Sequence, residues 1–426
     1  MTRIRLLVII AVVAILSGGV FLSNPAESTG EELPPAGDGP YLVCPGALAG
    51  GGFQARLGVY NDEALPIRIT AVGVPEATAV LEPVGLGGAT FNIGDLAELG
   101  TTPVYLDGPG NLVAATFSGT PQASTLSSCI RAESVPTALL GMATTGDEGS
   151  TLQFVNPFAQ DASIRLEIVS ELGADTPSDL EAIRIPAGTH VEVPLTRVLS
   201  GREAMSVQIQ TVSGMVAAAS VRTGDTDLAV NEARPGALEW HFPLFGGALG
   251  GEIHLRSVGD LIGDYRIDRI DQTGTVEGVS EGAINPGEQV VLPASELMTD
   301  RGGLRVAATE PVVAGLVLQT GNIRSVMHGG SIGSRWVVPV SATAGDGQTM
   351  VWILNMGAGP GTVALTALGG EPEILPVELP PGAIAEVPLP DLGGGGVLVE
   401  SGQQIVVAFG VVQGEAIGIS MATVIG

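Results

Sequence analysis

One set of short motifs recurs four times along this chain. Each copy begins with an Asn-like position at a strand end, at Asn61, Asn156, Ser257 and Asn355. The later motifs of the copies are Pro83–Gly85 and Leu112–Ala115; Pro186–Gly188, Glu192–Leu195 and Met215–Ala218; Asn285–Gly287, Val291–Ala294 and Val312–Gly315; Pro380–Gly382, Glu386–Leu389 and Val406–Ala408. A period of about a hundred residues is too long for a solenoid or a propeller blade and fits one small domain per copy. We therefore expect a row of four related domains, at 38–134, 135–235, 236–334 and 335–426.

The pattern within each copy predicts β-structure. Ser163–Val169 alternates apolar and polar residues, which is typical of a half-buried strand. The 62 Gly and 29 Pro of the chain punctuate its apolar runs, as many short strands joined by tight turns require. No sustained helical period occurs beyond the N-terminal region. The fold class expected is all-β: four tandem antiparallel β-sandwich domains of Ig-like type, with short helical turns at Leu195–Leu199, Leu297 and Leu392.

The N-terminus predicts a membrane segment. Arg3 and Arg5 lie in a stub at 1–5 and precede an uncharged apolar run at 6–22, which is followed by a Pro-containing spacer at 23–37. The run is at the lower length limit for a membrane-spanning helix and is long for a signal peptide. By the positive-inside rule, the rest of the chain is extracytoplasmic. We expect a single-pass transmembrane signal anchor in the cell membrane; a cleaved signal peptide is the alternative.

Charge excludes several classes of function. All 18 basic residues are Arg, so the chain has no lysine for a phosphate-binding loop or a Schiff base. The net charge is −27, which argues against nucleic acid as a partner because phosphates require a basic face.

The two cysteines, Cys44 and Cys129, bracket the first copy. In an oxidising compartment we expect a disulfide that joins the first and last strands of the first domain. A reactive thiol pair is the alternative.

These motifs together resemble an uncharacterised family. The sequence of strand, Asn-Pro, Pro-x-Gly turn, Val-x-Val-Pro-Leu and Val-Ala-Ala, behind one membrane segment and an early cysteine, is similar to large membrane-anchored extracytoplasmic proteins of high-GC Gram-positive bacteria that carry a domain of unknown function. The resemblance implies location and β-architecture, and it brings no activity or binding residue.

Several patterns have the form of a catalytic or metal site. Gly329–Gly333 is a G-x-S-x-G motif centred on Ser331 with His328 beside it, but a strand follows it where a nucleophile elbow needs a helix. His241 and His254, with Glu239 and Glu252 nearby, have the residue types of a metal site without its spacing. We therefore expect no catalytic, cofactor-binding or metal-binding residues.

Two weaker ligand hypotheses remain. Acidic loops near strand ends suggest calcium between domains: Asp62 and Glu63, Asp147 and Glu148, Asp225 and Asp227, and Asp260 and Asp264. Trp352 is the candidate platform for a sugar, whereas Trp240 and Trp336 begin matching Trp-x-x-Pro strands and are expected in a core or interface.

The function expected is that of a non-catalytic, membrane-anchored scaffold or adaptor of the cell envelope, not an enzyme, that binds other envelope proteins through its β-domains. Two alternatives stay open. The first is a module that binds cell-wall glycan, and the second is an envelope hydrolase with a site between domains.

Overall fold

The structure is a computed structural model that describes most of the chain from residue 41 to residue 425. It does not describe 1–40, 48, 50–52, 85, 97–99, 120–123, 146–149, 176, 224–227, 299, 321–322, 340–347, 369–373, 390–395, 414–415 and 426. The stub, membrane segment and spacer predicted at 1–37 lie outside the described residues, as do Leu392, Asp147, Glu148, Asp225 and Asp227. Within the described part of the chain, no helix is long and apolar enough to cross a membrane.

The described chain is all-β, as the sequence predicts. The strands are β1 Tyr41–Cys44, β2 Gln54–Asn61, β3 Ile67–Ala71, β4 Val74–Leu81, β5 Gly88–Asn92, β6 Val104–Asp107, β7 Leu112–Gly119, β8 Ser124–Ser128, β9 Thr137–Met142, β10 Thr151–Asn156, β11 Ala162–Ser170, β12 Gly173–Asp175, β13 Ile183–Ile185, β14 Thr189–Pro194, β15 Met205–Ser213, β16 Ala217–Thr223, β17 Leu228–Glu232, β18 Arg234–Pro235, β19 Ala237–Leu244, β20 Glu252–Ser257, β21 Gly263–Ile270, β22 Val276–Ile284, β23 Gln289–Pro293, β24 Gly302–Thr320, β25 Ile323–His328, β26 Gly333–Val338, β27 Gln348–Asn355, β28 Gly361–Ala367, β29 Ile374–Leu379, β30 Ile384–Pro388, β31 Val397–Gln413, β32 Ala416–Met421 and β33 Thr423–Val424. The helices are short: α1 Leu195–Val198, α2 Ala294–Leu297, and 3-10 turns at Ile93–Asp95, Ser178–Leu180 and Gly246–Gly250.

The strands pair in four successive groups, which we call group 1 (β1–β8), group 2 (β9–β18), group 3 (β19–β25) and group 4 (β26–β33). Group 1 has two four-stranded sheets, ordered β1-β6-β3-β4 and β5-β2-β7-β8, and group 2 has sheets ordered β14-β10-β16-β17 and β12-β11-β15-β9-β18, the latter joined by β13. In groups 3 and 4 one long strand, β24 in group 3 and β31 in group 4, pairs with strands on both sides of the core. The first half of β24 pairs with β19 and β21, and its second half pairs with β20 and β25. Group 3 therefore forms one seven-stranded sheet, and group 4, with β31, one eight-stranded sheet.

Alternation of apolar residues explains why these segments form strands. In β11, Ile164, Leu166 and Ile168 are buried while Arg165 is exposed. Opposite sheets share one core in group 1, where Ile69 of β3 and Leu57 of β2 belong to the same buried cluster. Each group thus buries the apolar face of one set of strands against the other.

The Pro-Ala-Gly, Asn-Pro-Gly and Pro-Pro-Gly turns have the conformation that their sequence predicts. Gly188, Gly287 and Gly382 have φ angles of 65°, 70° and 69°, which glycine adopts without the strain that a Cβ brings. The short helical turns expected after two Val-x-Val-Pro strands also form, at α1 and α2.

The disulfide is confirmed. Cys44 and Cys129 are bonded, at a sequence separation of 85 residues. The bond joins β1 to the residue that follows β8, so it closes group 1.

The described residues of 34–426 cluster into one compact unit. Group 1 packs on group 2 through Val43, Phe158 and other apolar residues, and group 2 packs on group 3 through a cluster that includes Leu140. Groups 3 and 4 share one large core, and group 4 packs back on group 1 through a cluster that includes Tyr60 and Leu398. The division into four domains at the boundaries given above stays a prediction.

Candidate functional site

Four strands from the four groups meet in what we call the seam: β8, β17, β25 and β32. β8 contacts β17, β17 contacts β25, β25 contacts β32, and β32 contacts β8. β32 and β8 approach closely, since a Cβ on Gly418 would lie 2.9 Å from the backbone nitrogen of Leu126. A side chain at that position would separate the two strands, so the glycine permits the seam to close.

Buried polar contacts cross the seam at several places. The hydroxyls of Ser128 and Ser420 lie 2.7 Å apart, and the backbone N–H of Val230 donates to the Thr125 hydroxyl at 3.1 Å. Asn231 donates to the carbonyl of Arg324 at 3.2 Å and accepts from the N–H of Val326 at 3.0 Å. Buried polar side chains are costly unless they are hydrogen-bonded. These contacts therefore fix the relative register of the four seam strands in addition to holding them together.

The residue after each seam strand makes the same backbone hydrogen bond in all four groups. It donates from its N–H to a carbonyl on the neighbouring strand of its own group. The four bonds are Cys129 to Ala114, Ala233 to Ala218, Gly329 to Ala314 and Ala422 to Val407, at 2.9, 2.8, 3.1 and 3.0 Å.

Three of the four Asn-like positions also make matching contacts. Asn156 is fully buried; its Nδ2 donates to the carbonyls of Gln160 and Ile185, and its Oδ1 accepts from the N–H of Phe158. Asn61 and Asn355 bind the residues two and four positions further on in the same way. Ser257 is too short to do so, and its Oγ is buried with no hydrogen-bond partner among the described residues.

A partly buried ion pair, with Arg256 buried and Glu167 about one-third exposed, lies between groups 2 and 3. The Arg256 guanidinium is 3.0 Å from the Glu167 carboxylate and also donates to the Gly287 carbonyl and, at 3.4 Å, to the Gln208 side chain. Burial lowers the pKa of Arg256, and the Glu167 carboxylate opposes that shift. The pair orients the two groups relative to each other.

One cleft of about 370 Å³ opens beside the seam. Its walls come from β7 of group 1, from the segments that follow β8 and β17, and from the C-terminal β33. Most of its lining is apolar, as at Leu42, Ile130 and Val424, and its charged side chains are Arg131, Glu133 and Arg234. The volume falls in the range of sites that take small molecules or short peptide segments.

The cations of this cleft differ in their partners. Arg234 is 2.8 Å from the carboxylate of Glu232, whose side chain is 4% exposed, so its charge is largely compensated. Arg131 is exposed and has no ion-pair partner among the described residues. Glu133 is partly buried and already has an interaction partner.

The G-x-S-x-G segment does not have the geometry of a hydrolase. His328 is buried, and its Nε2 donates to the Glu232 carbonyl at 2.9 Å across the seam, while Ser331 is exposed in the segment that follows. Burial lowers the pKa of His328 to about 4, so its ring is neutral at pH 7. The chain continues from Ser331 into β26 and not into a helix.

The histidines proposed for a metal each pair with the carboxylate two residues before them. His241 lies 3.1 Å from Glu239, and His254 lies 2.9 Å from Glu252. Burial lowers the pKa of His241, and the hydrogen bond from His254 lowers the pKa of Glu252. In the part of the chain that the structure covers, no group of three or more His, Cys, Asp or Glu side chains is placed to hold a metal ion.

The acidic loops are partly engaged in local contacts. Asp62 accepts hydrogen bonds from the backbone and the side chain of Asn111, at 2.8 and 2.7 Å. These bonds hold the loop after β2 against the loop before β7. The binding of calcium at these loops stays a hypothesis.

The three tryptophans are all buried. Trp240 and Trp336 are 8% and 1% exposed, as their matching motifs predict. Trp352 is 3% exposed, and its ring stacks on Phe245 of group 3 with the ring centroids 4.1 Å apart. The placement corrects the hypothesis that Trp352 is a ligand platform, because Phe245 covers one face of its ring and the side chain is almost fully buried, which leaves no open face for a sugar.

Sequence analysis missed the residues that line the cleft and the seam. Arg131 and Arg234 of the cleft carry no motif, and the segments that bring them together are about a hundred residues apart. A usable indication was the position of Arg131 and Arg234 within a few residues after the seam strands of two successive groups.

Comparisons with known proteins give one informative match. The model of a family described as a family of unknown function, DUF5719, matches residues 108–373, which is more than half of the chain. No match occurs among curated proteins. Among solved structures, the chain is similar to a tetra-tandem repeat in the extending region of a large adhesion protein, with 9% identity over 88% of this chain and 92% of that chain; the TM-score of 0.13 carries no argument.

Proposed function

The chain belongs to the DUF5719 family, whose function is unknown, and we propose that it is a non-catalytic scaffold or adaptor of the cell envelope. In this proposal residues 6–22 anchor the chain in the cell membrane as a single-pass segment. The remainder is extracytoplasmic and holds other envelope proteins or wall polymer. The host is a high-GC Gram-positive bacterium.

The architecture proposed is four tandem, related β-sandwich domains of Ig-like type. The four matching hydrogen bonds after the seam strands support this, since they recur at equivalent places in all four groups. The matching contacts of Asn61, Asn156 and Asn355 support it independently.

The seam is the observation that carries the proposal. Its strands are joined by buried serine, threonine and asparagine contacts, such as that of Ser128 with Ser420. A chain whose four copies build one compact body with buried junctions has the design of a rigid platform. Rigid placement of binding surfaces lowers the entropic cost of holding a partner.

The hydrolase alternative receives little support from the geometry. The ring nitrogen of His328 that could accept a proton from a serine lies in the buried interior of the protein, and its other nitrogen is bound to the Glu232 carbonyl. A general base must reach the proton that it removes.

Crosslinking in intact envelopes tests the proposal. Tagged full-length protein is produced in a high-GC Gram-positive host. Because the chain has no lysine, it is treated with a short and a long crosslinker that react with carboxylates or by photoactivation and not with amines. The protein is then purified. We expect reproducible recovery of specific envelope proteins. Recovery of none under both reagents would overturn the proposal.

A seam variant sharpens this experiment. Gly418→Leu separates β32 from β8 by inserting a side chain where the backbones nearly touch. We expect this variant to recover less of the same partners, whereas Leu172→Ser, at an exposed turn, is expected to leave recovery unchanged.

A further inference from the structure

We propose that the cleft beside the seam binds an extended peptide segment that ends in a free carboxylate next to apolar side chains. The inference rests on the proposed function, because it names the chemistry of the partner segment that the scaffold holds. Three features of the cleft lead to it: its shape, the open edge of a strand in its wall, and its exposed cation.

The shape of the cleft fits a short stretch of chain and not a flat protein surface. It has a volume of about 370 Å³, and apolar side chains from group 1 and from the C-terminal segment form its walls. Leu42, Ile130, Val424 and Ile425 are among these side chains. Such walls favour aliphatic side chains, since burial of each methylene contributes to binding.

The open edge is that of β33. Among the described strands, β26 is the partner of β33, and β33 is the last strand in the order of its sheet. The N–H of Ile425 donates to the carbonyl of Arg335, while Val424 lies opposite Trp336. Because backbone groups alternate in direction along an antiparallel strand, Val424 turns its N–H and C=O away from β26. An added peptide strand uses such an edge through main-chain hydrogen bonds.

The exposed cation is Arg131. It lines the same cleft, and it has no ion-pair partner among the residues that the structure describes, whereas Arg234 is paired with Glu232. A guanidinium recognises a carboxylate through two parallel hydrogen bonds. Glu133 lines the same cleft but already has an interaction partner, so Arg131 is the side chain of this cleft that favours a ligand bringing its own negative charge.

A terminal carboxylate fits this combination better than an acidic side chain. The peptide end places the charge directly beside the last backbone groups and the last apolar side chain. Arg131 and the edge of β33 then recognise the same end of one segment.

Calorimetric titration of the protein with two peptides tests the proposal. The probes are the acetylated pentapeptide SVSLV with a free carboxylate and the same peptide with a C-terminal amide. We expect saturable binding of the carboxylate form and at least about tenfold weaker binding of the amide, which is the ratio that loss of one charge-assisted hydrogen bond produces. Equal affinity of the two peptides, or no saturable binding of the carboxylate form at millimolar concentration, would overturn it.

Three variants separate the contributions. Arg131→Gln is expected to weaken binding of the carboxylate peptide at least about tenfold and to abolish the difference between the two peptides. Arg165→Gln is the matched control, because Arg165 is also exposed but lies on β11, outside the cleft, and it is expected to bind as the wild type does. Val424→Pro removes an N–H that β26 does not use, so it is expected to weaken both peptides equally. An Arg131→Gln variant that binds like the wild type would overturn the proposal.

Failure of this inference is distinguishable from failure of the proposed function. Full-length Arg131→Gln protein enters the same crosslinking experiment as the wild type. If the wild type recovers envelope proteins while neither peptide binds, the scaffold proposal stands and the cleft assignment falls.

Discussion

Replacing Asn156 with alanine is expected to destabilise the protein strongly, because its side chain bonds four backbone groups, three of them at 3.1 Å or less and the Pro186 carbonyl at 3.4 Å. Its Nδ2 donates to the carbonyls of Gln160 at 2.7 Å and Ile185 at 3.1 Å, and its Oδ1 accepts from the N–H of Phe158 at 3.1 Å. Asn156 itself has no exposed surface. Alanine removes every one of these contacts and adds none.

The magnitude follows from the environment of the three groups. A buried group that loses its partner costs about 1–3 kcal/mol. The Ile185 carbonyl and the Phe158 N–H are both bonded in buried settings and take about 1–1.5 kcal/mol each, whereas the Gln160 carbonyl lies in a more exposed loop and takes about 1 kcal/mol or less. The expected loss in the free energy of unfolding is therefore about 3 kcal/mol.

Urea unfolding followed by far-ultraviolet circular dichroism measures this loss. Gln160→Ala is the matched control, since it keeps the backbone carbonyl that Asn156 binds and removes only an exposed side chain. It is expected to change the free energy of unfolding by less than about 0.5 kcal/mol. If Asn156→Ala were no more destabilising than Gln160→Ala, the role given to the three contacts would be wrong.

Further predictions concern the fourth Asn-like position, the disulfide and pH. Ser257→Asn supplies the contacts that its copy lacks and is expected to raise the free energy of unfolding by about 1 kcal/mol. A decrease in this free energy, measured by urea unfolding, would contradict the equivalence of the copies. Replacing Cys44 and Cys129 with serine opens a loop closed across 85 residues and is expected to cost about 4.5 kcal/mol by loop entropy, and a cost below about 1 kcal/mol would contradict the account. Burial holds the pKa of His328 at about 4, below its ordinary value of 6.5. The unfolded chain therefore takes up a proton first, and the free energy of unfolding falls by about 3 kcal/mol as the pH is lowered from 6.5 to 4. His328→Gln is expected to flatten this part of the pH profile of urea midpoints, and an unchanged slope would contradict the assignment.

The local structure of this chain could be predicted because it depends on residues close in sequence. The alternation in β11 sets its buried face, and the Pro-x-Gly turns specify a backbone that Gly188 and its counterparts adopt. The pairing of Cys44 with Cys129 was predictable because the chain has only two cysteines. These features need no knowledge of how the copies meet.

The arrangement of the copies could not be predicted, because it depends on contacts between distant segments. Arg256 and Glu167 are 89 residues apart, and Ser128 and Ser420 are 292 apart. Trp352 had the pattern of an isolated strand residue, yet Phe245 from the preceding group covers its ring. The cleft is formed from segments of this kind, so its lining carries no motif along the chain.

Small-angle X-ray scattering of residues 34–426 tests the central claim, that the four groups close into one body, most directly. The claim predicts a radius of gyration of about 21 Å, the value for a single compact chain of that length. Four globular domains of a quarter of that length in an open row would give about 40 Å. A value near 21 Å would agree with the closed seam, and a value near 40 Å would contradict it.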